Sequence, residues 1–571
     1  TRAFFYHNPE QATTYGVSEL VVPRTAHRLK SRSPLGETGR REELRAALER
    51  MQAIDPADLT ANRPRTHAVV TTLINGALAP AAVVEYGTTV DGFGFYFLPY
   101  TINQNSGPTV DIPNFLNSKQ PVNNSEEAEA YLVRLAGVQD ALNGALESYR
   151  QAVLKGAIPP DFVVDKSLAV VESFVAAPPQ ENALYTSFLE RLDAAGVEDG
   201  AAYAERALKI VSEEVIPAYE RIGDYLAEIR PSAPHEAGVW RLPRGEELYA
   251  AMVRHMTDAT RSPEEVHQVG LDEVERITSE MDAILSGEGY TEGSVGERMQ
   301  RLNVEERFVY PNTAEGRAAL IADARAQIEG IKEVLPQWFA TRVNYPVEVR
   351  AVPEYSQDSA PTGYYNPPAK DGSRPGVYWL NVRDTAVHPR FALPTLTYHE
   401  SIPGHHLHFA TAIDQDVPPL VTAIWSNAAG EGWALYSEQL AAEMGMYDDD
   451  PYGDLGRLQA ELHRAVRLVV DTGMHAKKWS REQAIEYMIE AEGVEEGTAI
   501  SEVVRYAVWP GQALGYKLGM LKILELREEA KQALGDDFDV RAFNDTVLHV
   551  ASTPLPYIEA TVRDWIRQAD M

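Results

Sequence analysis

The sequence predicts a mainly α-helical protein of two lobes with a small β-sheet, and three observations carry that expectation. At 571 residues the chain is longer than a single hydrophobic core usually supports. Between Ser125 and about Ala283, apolar residues recur at three and four spacing over long stretches, which is the period of a helix. At Tyr345 the pattern changes to short apolar and aromatic runs of the kind that form strands.

In chain order, EEAEAYLVRLAGVQDALNGALESYRQAVL and EEVIPAYERIGDYLAEI read as helix hairpins. Breaks fall at Pro159-Pro160, Pro178-Pro179 and from Pro231 to Pro234, because proline has no amide hydrogen to continue a helix. The RLPRGEELY run from Arg241 reads as a loop entering a further helix. PVEVRAVPEY and GVYWLNV then read as strands separated by a Gly/Pro/Asp-rich turn. After Pro394 the helical period returns, interrupted near Asp448 and Trp509, and no repeat of fixed period is present. This predicts a helical lobe over residues 1–344 and a catalytic lobe with the small sheet over 345–571, interleaved into one catalytic unit.

Composition narrows the function. Lys and Arg number 52 against 84 Asp and Glu, a formal charge of -32 that repels phosphate backbones and anionic membranes, so nucleic acid and membrane are not expected partners. No stretch reads as the roughly 20 consecutive apolar residues of a bilayer span. With no cysteine, disulfides, thiolate catalysis and Cys-based metal sites are excluded, which leaves His, Asp and Glu as metal ligands. The opening TRAFFYHNPEQ lacks a basic stretch followed by an apolar run, and points to a cytoplasmic chain whose N-terminus is leaderless or processed.

The segment LTYHESIPGHHLHFA, from Leu396 to Ala410, sets a His-Glu pair ahead of Gly-His-His, and EGWALYSEQL begins at Glu431. The arrangement resembles a zincin, in which two histidines one helical turn apart share a zinc ion and the Glu beside the first acts as general base. Here the position four residues after His399 is Pro403. In a straight helix, His399 and His405 stand ~9 Å apart in rise, too far for two nitrogens each ~2.1 Å from one zinc. The helix must therefore bulge at Pro403-Gly404. His399 and His405 are the expected histidine ligands, with His406 the alternate, and Glu400 is the expected base. Glu431 is the expected third ligand, with Gly432 allowing a close helix approach; Glu438, seven residues on and on nearly the same face, is the rival, or else the hydrogen-bond partner of a ligating histidine.

YHESIPGHH, EGWALYSE, RLVVDTGMHAKKW from Arg467 and RYAVWPGQALGYKLG from Arg505 resemble, over most of the chain, the bacterial family catalogued as domain of unknown function 885, and more broadly the gluzincin metallopeptidases. The resemblance implies a helical, oligopeptidase or angiotensin-converting-enzyme-like architecture, with zinc in a deep channel between two lobes beside the small sheet. It also implies a zinc-dependent metallopeptidase acting on short peptides, with carboxypeptidase, dipeptidase and oligopeptidase action all open. In the family blocks, His475, Tyr506 and Tyr516 are candidate donors to the tetrahedral oxyanion, with His475 and Tyr516 preferred. Arg505 and Lys517 are candidates to hold a substrate carboxylate, or else buried ion pairs. Tyr364 and Tyr365 lie in the stretch from Gly363 to Val382, read as a strand edge to which an extended peptide adds, or as a plain structural hairpin. Two other readings compete: a peptide-binding scaffold that has lost turnover, against which Glu400 argues, and a zinc amidohydrolase on a non-peptide amide.

Overall fold

The computed structural model describes residues 2–569 apart from 61–62, 93, 355–356, 358–359, 369–371, 373, 416–419, 422–424 and 552. Helices dominate and the described strands are short. The chain divides into two compact units, one built on Thr1–Met252 and the other on Val253–Val417, Ile424–Tyr506 and Pro510–Met571.

In the first unit, helix α1 (Ser125–Leu154) starts where the Asn124 side chain accepts from the Glu127 amide, and it buries Tyr131, Leu135, Val138, Leu142 and Tyr149 on one stripe. That stripe shares a core with α2 (Asp161–Ala176), α3 (Ala183–Ala195) and α4 (Ile216–Ile229). The prolines act as the sequence predicts, with Pro160 immediately before α2 and Pro231 beyond α4. EEVIPAYERIG instead continues through Pro217, entering α4 by a π turn at Val211–Val215. Such a turn accommodates a residue that cannot make the regular bond to the fourth preceding carbonyl.

Two features of this unit depart from the sequence reading. An antiparallel hairpin pairs β1 (Thr88–Gly92) with β2 (Gly94–Leu98), where no strands are expected. The helix Arg63–Val83 is long and apolar enough to cross a membrane by length and composition, although none is expected to be; Val69, Leu73, Ile74 and Ala77 on it are buried.

The second unit begins well before the expected boundary at residues 344 and 345. Helix α5 (Pro263–Gly287) lies along α10 (Pro451–His475), and a Cβ at Gly270 would stand 2.8 Å from Leu468 Cβ and 3.0 Å from Val469 N. Helix α6 (Ala314–Val334) adds Leu320, Ala324, Ile328 and Ile331 to the core that holds Tyr378, Leu393 and Trp433. Helices on both sides of Tyr345 thus build one core. The expected small sheet is present as β3 (Val347–Ala351), β4 (Gly363–Asn366) and β5 (Gly376–Leu380), in the order β3-β5-β4, with β3 parallel and β4 antiparallel to β5. Residues 369–371 and 373 of the expected turn lie outside the described residues.

From Pro394 the chain forms α7 (Leu393–Glu400), α8 (His405–Asp414), α9 (Asn427–Glu443), α10, α11 (Glu496–Val508), α12 (Gly515–Leu534) and α13 (Leu555–Ala569). The close approach that Gly432 permits is to α12: a Cβ there would meet the Gly519 backbone at 2.5 Å, and one at Gly519 would meet the Ala428 carbonyl at 1.9 Å. Asp258 ties two helix starts together. Its Oδ2 accepts from Ser426 Oγ at 2.5 Å, just ahead of α9, and from the Leu555 amide at 3.1 Å.

Gly519→Ala must push α9 and α12 apart and is expected to destabilise the protein by about 2–3 kcal/mol, read from thermal or urea unfolding. Burial raises the Asp258 carboxyl from its ordinary 3.8 to about 6, opposed by its two hydrogen bonds. Its contribution to stability is therefore full below pH ~4 and is lost as pH rises through ~6, about 3 kcal/mol in all. Asp258→Asn, which keeps an acceptor oxygen, is expected to remove that slope between pH 4 and 7, measured as melting temperature against pH.

Candidate metal centre

The break in the HESIPGHH segment builds the site. Helix α7 ends at Glu400 and α8 starts at His405, so the expected bulge at Pro403-Gly404 is a full interruption. Across it the Gly404 amide donates to the Tyr398 carbonyl at 3.0 Å and the His406 amide to the Ser401 carbonyl at 2.9 Å. These wide turns fold the chain back on itself and shorten the path between the histidines. A Cβ at residue 404 would lie 2.0 Å from the His399 carbonyl oxygen, so only glycine closes the loop this tightly. Trp433 Nε1, on the helix that carries Glu431, donates to the Pro403 carbonyl at 3.0 Å and pins the loop.

As a result the ligand atoms of His399, His405 and Glu431 all lie within 4.8 Å of one another. Glu431 Oε2 is 3.8 Å from His399 Nε2 and 3.5 Å from His405 Nε2. Two ligands ~2.1 Å from a tetrahedral zinc stand ~3.4 Å apart, so these separations fit one ion with the geometry hardly changed. Nitrogen and oxygen donors of this kind suit zinc among other divalent metals.

Glu438 takes the second of its two expected roles. Its Oε1 accepts from His399 Nδ1 at 2.7 Å, which orients the ring and leaves Nε2 facing the cluster. Glu431 and Glu438, two turns apart on α9, therefore address the two nitrogens of one imidazole. His406 is excluded as a ligand: Nδ1 faces the Tyr365 hydroxyl at 2.8 Å, and Nε2 donates to the Tyr345 carbonyl at 3.0 Å. His408 stacks on Trp425 at 5.5 Å.

Electrostatics follow from burial. His399 is held well below its ordinary pKa by burial, then by the charges of His405, Arg464 and Arg467, although Glu431 opposes them. Burial favours a neutral Glu431, yet the hydrogen bond and charge of His405, with His399 and Arg505, hold its carboxyl down at about 2. Glu400, buried beside His399, is raised to about 7 by burial first, and Glu431 and Glu438 add to the rise. Burial likewise raises Glu438 to about 7, with Arg464 opposing.

The other expected site residues divide. His475 is fully buried and its Nε2 donates to the Tyr506 carbonyl at 3.0 Å, while burial lowers its pKa to about 4. Tyr506 is also fully buried, its hydroxyl donating to Glu502 at 2.6 Å and accepting from Arg467 Nε at 3.1 Å. Both are core side chains committed to structural bonds, which corrects the expectation that they face substrate. Lys517 is corrected likewise: it is wholly buried, with Nζ 2.6 Å from Glu461 and 2.9 Å from Glu273. Tyr516 remains half-buried, its ring 4.8 Å from the Arg467 guanidinium. Arg505 is partly exposed, with Nη2 2.5 Å from Gln512 Oε1 and Nη1 3.4 Å from Glu502. Tyr364 stacks on Trp379, its neighbour on β5, at 6.2 Å, and Tyr365 braces His406. Sequence reasoning missed Trp433, Arg464 and Arg467, because a Trp or an Arg on a helix carries no motif until its neighbours are known.

Residues 9–562 match the bacterial family described as "protein of unknown function (DUF885)". No curated protein matches the chain. A crystal structure described as "the putative lipoprotein from Colwellia psychrerythraea" is 38% identical, with TM-score 0.95 over 99% of this chain and 97% of that one. Another, described as "a putative lipoprotein of unknown function from Shewanella oneidensis", is 17% identical and shares the fold, with TM-score 0.72 over 97% of this chain and 96% of that one. The expectation of a cytoplasmic chain does not stand against these two descriptions. A likeness to a structure described as a "putative oligoendopeptidase F from Bacillus anthracis str. Ames" reaches only TM-score 0.27 at 12% identity, over 93% and 94% of the chains, and carries no argument.

Lys517→Met removes the wholly buried cation that Glu461 and Glu273 share and leaves them Arg276 and Arg457, and is expected to destabilise the second unit by roughly 3 kcal/mol, read as a fall in melting temperature.

Proposed function

Since the chain belongs to the bacterial DUF885 family over nearly its whole length, we propose from its own site that it is a zinc-dependent metallopeptidase acting on short peptides. The observation that carries this reading is the convergence of His399 Nε2, His405 Nε2 and Glu431 Oε2 beside a buried Glu400. Two imidazoles and one carboxylate make a three-ligand set of the kind that leaves a fourth position for water or substrate. When bound, zinc would lower the pKa of that water and polarise the scissile carbonyl.

The chain's own groups do the rest. Glu438 fixes the tautomer of His399, so that Nε2 presents its lone pair to the metal. Glu400 takes a proton from the attacking water and returns it to the leaving amine as the C–N bond breaks, which balances the hydrolysis. It ends α7 one residue after His399, and its electrostatic interaction with His405 and Glu431 supports a carboxylate near that set. Tyr516 is the donor to the developing oxyanion, and the β4 edge binds the extended peptide backbone, with Tyr365 holding His406 behind it. Following the lipoproteins to which the chain is similar, we place its substrates outside the cytoplasm.

Elemental analysis of the purified protein is expected to find stoichiometric zinc, absent from His405→Ala and Glu431→Ala. Glu400→Gln is expected to keep zinc and lose about 10²- to 10⁴-fold in cleavage of a mixed peptide set. A wild-type protein that stays zinc-free under saturating zinc would overturn the reading, and a Glu400→Gln variant as active as wild type would remove Glu400 from the mechanism.

A further inference from the structure

Near the metal centre stand three arginines, and one of them, Arg464, has a buried Nε with no hydrogen-bond partner. We infer that Arg464 and Arg505, with Arg467 fixed behind them, form a clamp for the free C-terminal carboxylate of a peptide, so that the protein removes residues from the carboxyl end. This inference rests on the peptidase reading above and names its substrate class.

Arg464 and Arg467 lie three residues apart on α10, hence on one face, and Arg505 comes from α11. Arg467 is spoken for: Nε and Nη2 donate to Glu502 Oε2 at 3.2 and 2.8 Å, and Nε also donates to the Tyr506 hydroxyl. The same Glu502 lies 3.4 Å from Arg505 Nη1 and is shared between two guanidinium groups, and Arg505 also acts on Glu431. His463 Nε2 also faces that carboxylate, at 3.7 Å. Arg464 is held more loosely. Its ion-pair partner is Glu438, whose Oε1 is 3.8 Å from Nη2 and already accepts from His399 Nδ1. Arg464 Nη1 donates to the Ala460 carbonyl at 3.1 Å, and its buried Nε has no hydrogen-bond partner. Arg464 thus keeps a guanidinium nitrogen without a hydrogen-bond partner beside a Glu438 already committed to a histidine.

The cluster belongs to the centre electrostatically, since Arg505 holds Glu431 down and Arg464 and Arg467 act on His399. It is partly accessible: the Arg505 and Arg464 side chains keep 20% and 16% of their exposure, against 7% for Arg467. Tyr516 lies between, its ring 5.9 Å from Arg464 and 4.8 Å from Arg467. On a chain of formal charge -32, a guanidinium group that keeps a donor beside the centre gives an anion a place to bind. The anion that every peptide carries, whatever its sequence, is its C-terminal carboxylate, and guanidinium groups bind carboxylates by paired, charge-assisted hydrogen bonds.

The test uses the zinc-loaded protein and three peptides of one sequence: a free-acid end, a carboxamide end, and a carboxamide end with an internal Glu. The free acid is expected to exceed the amide by roughly 100-fold in kcat/KM. In Arg464→Gln and Arg505→Gln, with zinc content and melting temperature checked, that gap is expected to collapse, chiefly through KM. Equal cleavage of acid and amide overturns the clamp and leaves the peptidase reading standing. Rescue of the amide by internal Glu overturns the terminal carboxylate in favour of an acidic side chain. Calorimetric titration with the same peptides makes the comparison without turnover. Acid-dependent binding lost in both variants, by a protein that cleaves none of the peptides, upholds the clamp and overturns the peptidase reading; equal binding of acid and amide overturns the clamp.

Discussion

The candidate site depends on one backbone hydrogen bond, from the Gly404 amide to the Tyr398 carbonyl. A regular helix through these residues would hold His399 and His405 more than a turn apart in rise and on different faces. The wide turn removes that separation. It needs a residue without a Cβ at 404, and the Trp433 indole donates to the Pro403 carbonyl to hold the loop. Trp433 belongs to the same helix as Glu431, so the helix that supplies the third candidate ligand also fixes the spacing of the first two.

Around this point the second unit buries an unusual amount of charge, and the pairing of that charge separates structure from function. Lys517 with Glu461 and Glu273 is fully partnered, with Arg276 and Arg457 completing the network. Asp258 joins the starts of two helices. The His399–Glu438 pair is closed on one side and open on the other, since it uses Nδ1 and leaves Nε2 toward Glu431. Buried ion pairs contribute little net stability because desolvation offsets their attraction, so the pairs that remain incomplete are the ones that call for a ligand. By that standard the His399, His405 and Glu431 cluster and the Arg464 guanidinium differ in kind from the ion pair at Lys517.

Much of the helical frame was legible because amphipathic period and proline punctuation are local signals. The helix Ser125–Leu154 and the strands Val347–Ala351 and Gly376–Leu380 fall where their residue patterns place them. The hairpin at Thr88–Leu98 escaped although its Thr, Val, Phe and Tyr residues favour strands, since strands of five residues are too short to carry a clear period. The Tyr345 boundary misled because a change from helical to strand pattern marks a change of element, whereas a unit is defined by which helices share a core. His475, Tyr506 and Lys517 were misplaced for a related reason: residue type and family block name a candidate, but the direction a helix faces is set by its packing partners.

The sequence by itself determined the donor set, an all-nitrogen-and-oxygen site from a chain without cysteine, and the need for a break at Pro403-Gly404, because proline and helix geometry are properties of the chain alone. It also narrowed the second histidine to His405 or His406 and the later glutamate to Glu431 or Glu438. Tertiary structure alone decided between them. Tyr365 and the Tyr345 carbonyl occupy both nitrogens of His406, and Glu438 meets His399 from behind while Glu431 meets it in front. The physical reason is that a ligand is defined by where an unshared electron pair points, and that direction is fixed by hydrogen bonds from segments distant in sequence.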